Sequence, residues 1–323
     1  MKATARAHPI QGVVKYHGMR DHDLRLPYHD SISVCTAPSN TTTTVAFDPD
    51  LSSDTYVVDG EELAGHSADR VQSVVDEVRR RAGIDHCVRL ESENSFRTNV
   101  GLGSSASGFA AAATALSEAA GLDLSLPEIS TIARRGSASA ARATTGGFSI
   151  LHDGKNDRDC HGERLETGFD EGDLRIVIGM VPAYKETEAA HREAEASHMF
   201  EARLAHIHEQ IAEGRDAIRA GDFERTFELA EMDSLSLAAT TMTGPAGWVY
   251  WKPTSLSIFD AVRDLREEGI PAYFSTDTGA SVYVNTTAEH ADRVEAAVAE
   301  HAETRVWEVG GPSRVLDSDE ALF

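Results

Sequence analysis

The stretch Asn99-Val-Gly-Leu-Gly-Ser-Ser-Ala-Ser-Gly108 gathers the residue types that cradle a phosphate. Its glycines, Gly101 and Gly103 around Leu102, permit turned backbone that other side chains resist. Ser104, Ser105 and Ala106 then open an alanine-rich run that reads as a helix to about residue 120, stopped at Gly121. Unpaired N–H groups and the positive end of a helix dipole make that start an anion site. Lys15 and Tyr16 end an apolar run in Val13-Val-Lys-Tyr-His-Gly-Met-Arg-Asp21. A cation there neutralises a phosphate or carboxylate, or keeps a nearby acid ionised. Ser137, Ser139 and small neighbours surround Arg142, whose guanidinium can grip a carboxylate with two hydrogen bonds. Asp277, in Ser275-Thr-Asp-Thr-Gly-Ala280, lies at a tight connection between two apolar runs, a suitable place for a general base.

Other patterns fit less well. No Gly-Lys-Ser/Thr follows the glycines, so the loop is not a Walker motif. A dinucleotide fingerprint fits through Gly101, Gly103 and Ala106, with Asp123 about twenty residues on. The preceding Ser92-Glu-Asn-Ser-Phe-Arg-Thr-Asn is too polar for the buried apolar strand that fingerprint requires. Asp277-Thr-Gly-Ala also reads as an aspartic-protease motif, but no second Asp-Thr-Gly supplies the partner carboxylate. His191, His198, His206 and His208 read as helix-surface histidines, and no protein-held zinc is expected.

The elements that must position these groups follow from periodicity. Short strands are expected at residues 3–7, 12–16, 31–36, 41–47, 55–58 and 87–90. Helices are expected at 67–81 and 127–135, and a loop at 153–172. From the apolar strand at 174–181 onward, the order is β-α-β-β-α-β with extra helices inserted. The reading is an α+β chain of two lobes, residues 1–181 and 182–323.

The 323 residues carry 53 acidic against 30 basic side chains, a formal charge of −23. Only Lys2, Lys15, Lys155, Lys185 and Lys252 are lysines. Acid spread along the whole chain suits a cytoplasmic protein of concentrated salt, where screening suppresses self-repulsion. So negative a surface argues against nucleic acid as partner. The N-terminus has no signal-peptide pattern, and no 18-residue apolar run suggests a membrane partner. Cys35, Cys87 and Cys160 are far apart and read as free thiols.

Taken together, the motifs resemble the mevalonate diphosphate decarboxylase branch of the GHMP kinase superfamily. That family carries Ile-Lys-Tyr-Trp-Gly-Lys-Arg-Asp followed by Leu-Pro-x-Asn-Asp-Ser. Here the blocks read Val14-Lys-Tyr-His-Gly-Met-Arg-Asp21 and Leu26-Pro-Tyr-His-Asp-Ser31. The family's Gly-Leu-Ala-Ser-Ser-Ala loop is similar to Gly101–Ala106, its Gly-Ser-Ala-x-Arg-Ser-x-x-Gly-Gly-Phe to 137–148, and its Thr-x-Asp-Ala-Gly turn to 276–279. Leu229-Ala-Glu-Met-Asp-Ser234 is similar to a family helix.

The resemblance implies a two-lobed GHMP kinase fold: an N-terminal lobe like ribosomal protein S5 domain 2 and a ferredoxin-like C-terminal lobe. It implies ATP over residues 101–106, with Mg²⁺ near the Ser105 hydroxyl. Tyr16, Ser137, Ser139 and Arg142 would bind a phosphorylated mevalonate, a small-molecule partner, with Lys15, Arg142 and Asp277 catalytic. Asp277 would take the 3-hydroxyl proton, the hydroxyl would accept the γ-phosphoryl group, and phosphate and CO₂ would leave an alkene. Met19 replaces the family lysine that meets the substrate's diphosphate, a change similar to that in archaeal members acting on mevalonate 5-phosphate. Arg20 or His17 could compensate. Alternatives are the 5-diphosphate decarboxylase, a mevalonate 3-kinase without CO₂ release, and a catalytically silent GHMP-fold binding protein. A homodimer is the expected assembly.

Overall fold

The computed structural model describes residues 1–96, 104–183 and 187–323. Strands β1 (Lys2–Ala7), β2 (Ile10–Val14), β3 (Met19–Asp21), β4 (Leu26–Pro27), β5 (Ser31–Ala37), β6 (Thr41–Asp48), β7 (Thr55–Val58) and β8 (Glu61–Glu62) precede helix α1 (His66–Ala82). Strand β9 (Cys87–Asn94) leads to α2 (Ser104–Ala119), α3 (Leu126–Gly136) and α4 (Ala138–Thr145), then β10 (Phe148–Leu151) and β11 (Gly162–Arg164). The remainder runs β12 (Leu174–Met180), α5 (Thr187–Glu195), α6 (Phe200–Ala220), α7 (Phe223–Met242), α8 (Pro253–Glu267), β13 (Tyr273–Ser275), β14 (Val282–Thr287), α9 (Ala291–Ala299), β15 (Glu303–Val309) and β16 (Arg314–Leu316).

The first sheet has the order β16-β1-β6-β9-β7-β8. Its centre is more polar than a buried strand usually is, and hydroxyl pairing explains why. Thr43 meets Ser92 at 2.7 Å, Thr41 meets Asn94 at 2.7 Å and Thr4 meets Thr44 at 2.9 Å. Paired hydroxyls remove the desolvation cost that would otherwise exclude them. This corrects the expected end of the strand at residue 90: β9 continues through the polar residues to Asn94. It is antiparallel to β6, so the polar run does belong to a strand, though not to a doubly wound sheet. Helix α2 packs on this sheet with Ala110, Ala111, Ala113 and Leu116 wholly buried, and Gly121 follows its end at φ +70°. Alanine permits that close approach on nearly every side.

A box of Ser125 and Glu128 starts α3, with Glu128 Oε2 accepting the Ser125 N–H at 2.8 Å. Helix α4, which carries Arg142, has no amphipathic period to reveal it. The expected loop at 153–172 also contains a strand, β11, paired antiparallel with β10.

The second sheet has the order β11-β10-β5-β15-β12-β14-β13, with β2 also on β5. Its last four strands lie in the order β15-β12-β14-β13, which is 4-1-3-2 by sequence, all antiparallel. That is the ferredoxin-like arrangement expected for the C-terminal lobe. Ile176 and Ile178 face Ile207, Ile211 and Phe227 of α6 and α7, while Val177 faces Ile258, Val262 and Val298 of α8 and α9. Cover on both faces accounts for the unbroken apolar run in β12. The pairing of β15 with β5, at Val309 and Thr36, fuses N- and C-terminal strands into one sheet. Among the described residues, no helix is long and apolar enough to cross a membrane.

Candidate active site

Strand β2 brings Gly12 against the turn between β13 and β14. Asp277 Oδ1 accepts the Gly12 N–H at 3.2 Å, and Ser275 Oγ donates to the Gly12 carbonyl at 3.0 Å. A methyl group on Gly12 would lie 2.5 Å from Lys15 Cγ and 2.8 Å from Asp277 Oδ1. The missing side chain is therefore what allows the Lys15 stem and the Asp277 carboxylate to share one patch of strand. Both lie in different lobes of the sequence reading, and the sheet unites them.

Lys15 lies just past the end of β2. Its ammonium donates to Asp233 Oδ2 at 3.1 Å, Ser234 Oγ at 3.1 Å and the Ala230 carbonyl at 3.4 Å. The Lys15 N–H also reaches Asp233, at 2.9 Å. Arg203 of α6 closes the cluster, donating to Asp233 Oδ1 at 2.8 Å and to the Lys15 carbonyl at 2.7 Å. Burial opposes the charge on Asp233, but Arg203 and then Lys15 outweigh it and hold its carboxyl below the ordinary range. Lys15 thus fills its donor capacity within the protein, next to Asp277. Ser234 Oγ also accepts the Thr276 N–H at 3.1 Å, tying α7 to the Asp277 turn.

Arg142 is buried on α4, over the ring of Tyr16 at 5.5 Å, and Nη1 donates to the Ser31 hydroxyl. Burial lowers its pKa, and the charges of Tyr16 and Asp277 act in the opposite sense. Its Nε is buried and has no partner among the described residues. An orphaned guanidinium N–H near Asp277 suits a carboxylate or phosphate guest. Ser139 lies three residues before Arg142, on the same helix face, and Ser137 caps α4.

Tyr16 stacks on His191, with centroids 5.1 Å apart and planes at 9°, and His17 meets the same ring edge-on at 5.4 Å. His191 is buried, so it is not the surface histidine its helix position suggested, whereas His198, His206 and His208 are exposed. His191 Nδ1 accepts the Gly18 N–H at 3.2 Å. Met19 is buried as well, and its N–H donates to Glu195 Oε1 at 2.7 Å. Arg20 turns elsewhere, donating to the carbonyls of Pro27, Asp153, Gly154 and Lys155. His17 bonds Thr240 Oγ1 at 3.1 Å. Arg20 is exposed but spends its donors on those carbonyls, and His17 is buried, so neither takes the place of the family lysine. Burial, then Arg203, lowers His29 to about 4, which makes it neutral at physiological pH.

Ser104 and Ser105 stand at the start of α2 and Ala106 is buried beneath them; Gly101, Leu102 and Gly103 lie outside the described residues. A cleft beside Asp277 is lined by Leu237, Ala238, Thr241, Met242, Tyr250 and Trp251. All three cysteines are free, and burial pushes Cys35 up to about 12 and Cys160 up to about 11, so neither is a nucleophile.

Sequence reasoning missed Arg203, Asp233, Glu195 and the stacking role of His191. One signal was present. Arg203 falls within the apolar stripe of Phe200, Ile207 and Ile211, and a charge on such a stripe needs a buried partner.

The arrangement is that of a small-molecule kinase fold carrying the Asp277 carboxylate, a buried cation cluster and a guanidinium whose Nε lacks a partner among the described residues. Two family models match: the diphosphomevalonate decarboxylase-like N-terminal domain over residues 7–162, and the mevalonate 5-diphosphate decarboxylase C-terminal domain over 182–309. The chain belongs to the diphosphomevalonate decarboxylase family. Along its full length, and that of the relative, it is 70% identical to a phosphomevalonate decarboxylase of Haloferax volcanii. The crystal structure of mevalonate diphosphate decarboxylase from Staphylococcus aureus superposes with a TM-score of 0.93 at 29% identity, covering 98% of each chain. A relative in complex with MVAPP, AMPPCP and magnesium gives a TM-score of 0.92 at 29% identity, covering 98% of this chain and 99% of its own.

Proposed function

We propose that this protein converts mevalonate 5-phosphate to isopentenyl phosphate, consuming ATP and releasing CO₂, ADP and phosphate, in isoprenoid biosynthesis. The observation that carries the reading is the end-to-end 70% identity to a phosphomevalonate decarboxylase. The geometry around Met19 supports it. Where the resemblance puts a lysine for a second phosphate, this chain has a buried thioether and the Glu195 carboxylate on its N–H. A carboxylate there disfavours an added phosphate charge, and a monophosphate does not need the missing cation.

Asp277, held by Gly12, takes the proton of the 3-hydroxyl as its oxygen attacks the γ-phosphorus and ADP leaves. The new phosphate ester then departs with its electron pair. The bond to the carboxylate breaks, its electrons form the alkene, and CO₂ is released. Arg142 grips the carboxylate through its unpartnered Nε, keeping the breaking bond in line with the leaving group. Tyr16, with Ser137 and Ser139, orients the substrate against Arg142. Lys15, fixed by Asp233, places positive charge near the reacting groups.

ATP fits the start of α2, where backbone N–H groups and the Ser104 and Ser105 hydroxyls can meet phosphate oxygens. Mg²⁺ suits the same place, since hydroxyl and phosphate oxygens are hard donors, and it would neutralise phosphate charge there. In the same reading the enzyme is a salt-adapted cytoplasmic homodimer.

The test is ATP-dependent CO₂ release in molar KCl with mevalonate, its 5-phosphate and its 5-diphosphate in parallel. Preference for the monophosphate supports the proposal. Preference for the diphosphate overturns the substrate assignment, ADP without CO₂ makes the protein a kinase, and no ATP turnover makes it a silent binding protein.

A further inference from the structure

The hairpin of β10 and β11 carries a second constellation, apart from Asp277. Leu151 pairs with Gly162, and the next ladder bond runs from the His152 N–H to the His161 carbonyl at 3.0 Å. His152 and His161 are therefore cross-strand neighbours, with ring centroids 5.2 Å apart. Glu163, in β11, is two residues beyond His161 along the extended chain, which returns its side chain to the same side. Its Oε2 lies 2.7 Å from His152 Nε2. One donor atom from each of the three residues lies within 4.8 Å of the other two. Ligands bonded at about 2.0–2.1 Å in a tetrahedron are roughly 3.3 Å apart, so small rotations of the side-chain tips suffice.

The ring orientations give independent support. His161 Nδ1 faces the Asp159 carbonyl at 2.9 Å, an approach that requires an N–H, so the lone pair lies on Nε2. His152 Nδ1 lies 3.5 Å from Asp30 Oδ2 while its Nε2 turns to Glu163. His161 is backed by oxygen on Nδ1, the arrangement that fixes the tautomer of a metal-binding histidine, and on His152 an ion would replace the Nε2 contact to Glu163 while Asp30 backs Nδ1.

We propose that His152, His161 and Glu163 bind one divalent transition-metal ion of the zinc type, with water as the fourth ligand. Two imidazoles and a carboxylate suit zinc or cobalt, whereas magnesium requires mostly oxygen donors. This revises the expectation of no protein-held zinc, which rested on helical spacings; these ligands meet across a hairpin. The ion would staple the root of the loop whose carbonyls hold Arg20 and whose Asp153 N–H is held by Asp30 at 2.8 Å. Asp30 precedes Ser31, the hydroxyl partner of Arg142, so the staple would steady one wall of the substrate site.

The full-length protein, stripped with chelator and dialysed into molar KCl, is titrated with Zn²⁺ by calorimetry and with Co²⁺ by visible absorption. We expect one equivalent bound and a Tm that rises with free zinc. His161→Ala and Glu163→Gln should each weaken binding at least tenfold. Far-UV circular dichroism verifies folding; should His161→Ala unfold, Glu163→Gln at an exposed carboxylate decides alone. Absence of saturable binding, or equal affinity in wild type and Glu163→Gln, overturns the site. The substrate assay above is scored separately, because the metal readouts do not depend on which substrate is turned over.

Discussion

Gly12→Ala tests the claim that an absent side chain lets the Asp277 carboxylate and the Lys15 stem lie together. The added methyl would stand 2.5 Å from Lys15 Cγ and 2.8 Å from Asp277 Oδ1, where ordinary contact begins near 3.4 Å. Relief requires the two groups to move by about 0.6–0.9 Å. The Lys15 ammonium is pinned by three hydrogen bonds, one of them to Asp233, so Asp277 is the freer of the two and gives way. Misplacement of a reacting group by about 1 Å costs roughly a hundredfold in rate, or about 2.7 kcal/mol of barrier. Overpacking should also cost ~1–3 kcal/mol of stability. The assay is steady-state ADP and CO₂ release with a parallel thermal melt. Gly214→Ala is the control: in α6 its methyl would meet Ile32 Cδ1 at 3.4 Å and Val14 Cγ2 at 3.6 Å, ordinary contacts. It should leave kcat unchanged and, as a helical Gly→Ala change, cost nothing in stability. A Gly12→Ala enzyme within about threefold of wild-type kcat would refute the reasoning, since threefold is only about 0.65 kcal/mol, roughly a quarter of the predicted rise in barrier.

Asp277→Asn removes the proposed base without changing shape and should lower kcat by about 10²–10⁴-fold; nucleotide affinity, followed by calorimetry, should persist. Asp233→Asn leaves Lys15 and Arg203 buried without a counter-charge, at a cost of ~3–5 kcal/mol read from denaturant unfolding. Because the folded Asp233 carboxyl is held below its unfolded value, its stabilisation is complete at neutral pH and lost as pH falls below about 4. The variant should therefore lose part of the wild type's acid limb, and parallel limbs would contradict the cluster. Met19→Lys combined with Glu195→Gln restores a cation and removes the opposing carboxylate. It should shift kcat/KM toward the 5-diphosphate by about tenfold, within the 1–3 kcal/mol of a charge-assisted hydrogen bond; an unchanged ratio would remove Met19 from the specificity argument.

The local signals in the chain were strong where a motif is contiguous. The serines opening α2, the small residues around Arg142 and the tight turn at Asp277 announced themselves, because anion binding, close approach and turning each demand particular residue types. The β-α-β-β-α-β order likewise foretold the 4-1-3-2 sheet, since apolar periodicity marks elements whose connections leave few ways to pack. Helix α4 and the polar end of β9 escaped that reading. Alanine and serine carry no amphipathic period, and a threonine–serine ladder is stable only once its hydroxyls find partners on another strand.

The functional consequences of distance in sequence were decided by the tertiary structure alone. Lys15 reads as a cation available to phosphate; the fold gives it Asp233, 218 residues away, and leaves the Arg142 Nε a buried donor without a partner among the described residues. Glu195 meets Met19 across 176 residues, and His152 meets His161 only because β10 and β11 pair in that register. A sequence determines which side chains are able to act, because their chemistry is intrinsic. Which of them are already satisfied depends on neighbours that only the packed chain supplies.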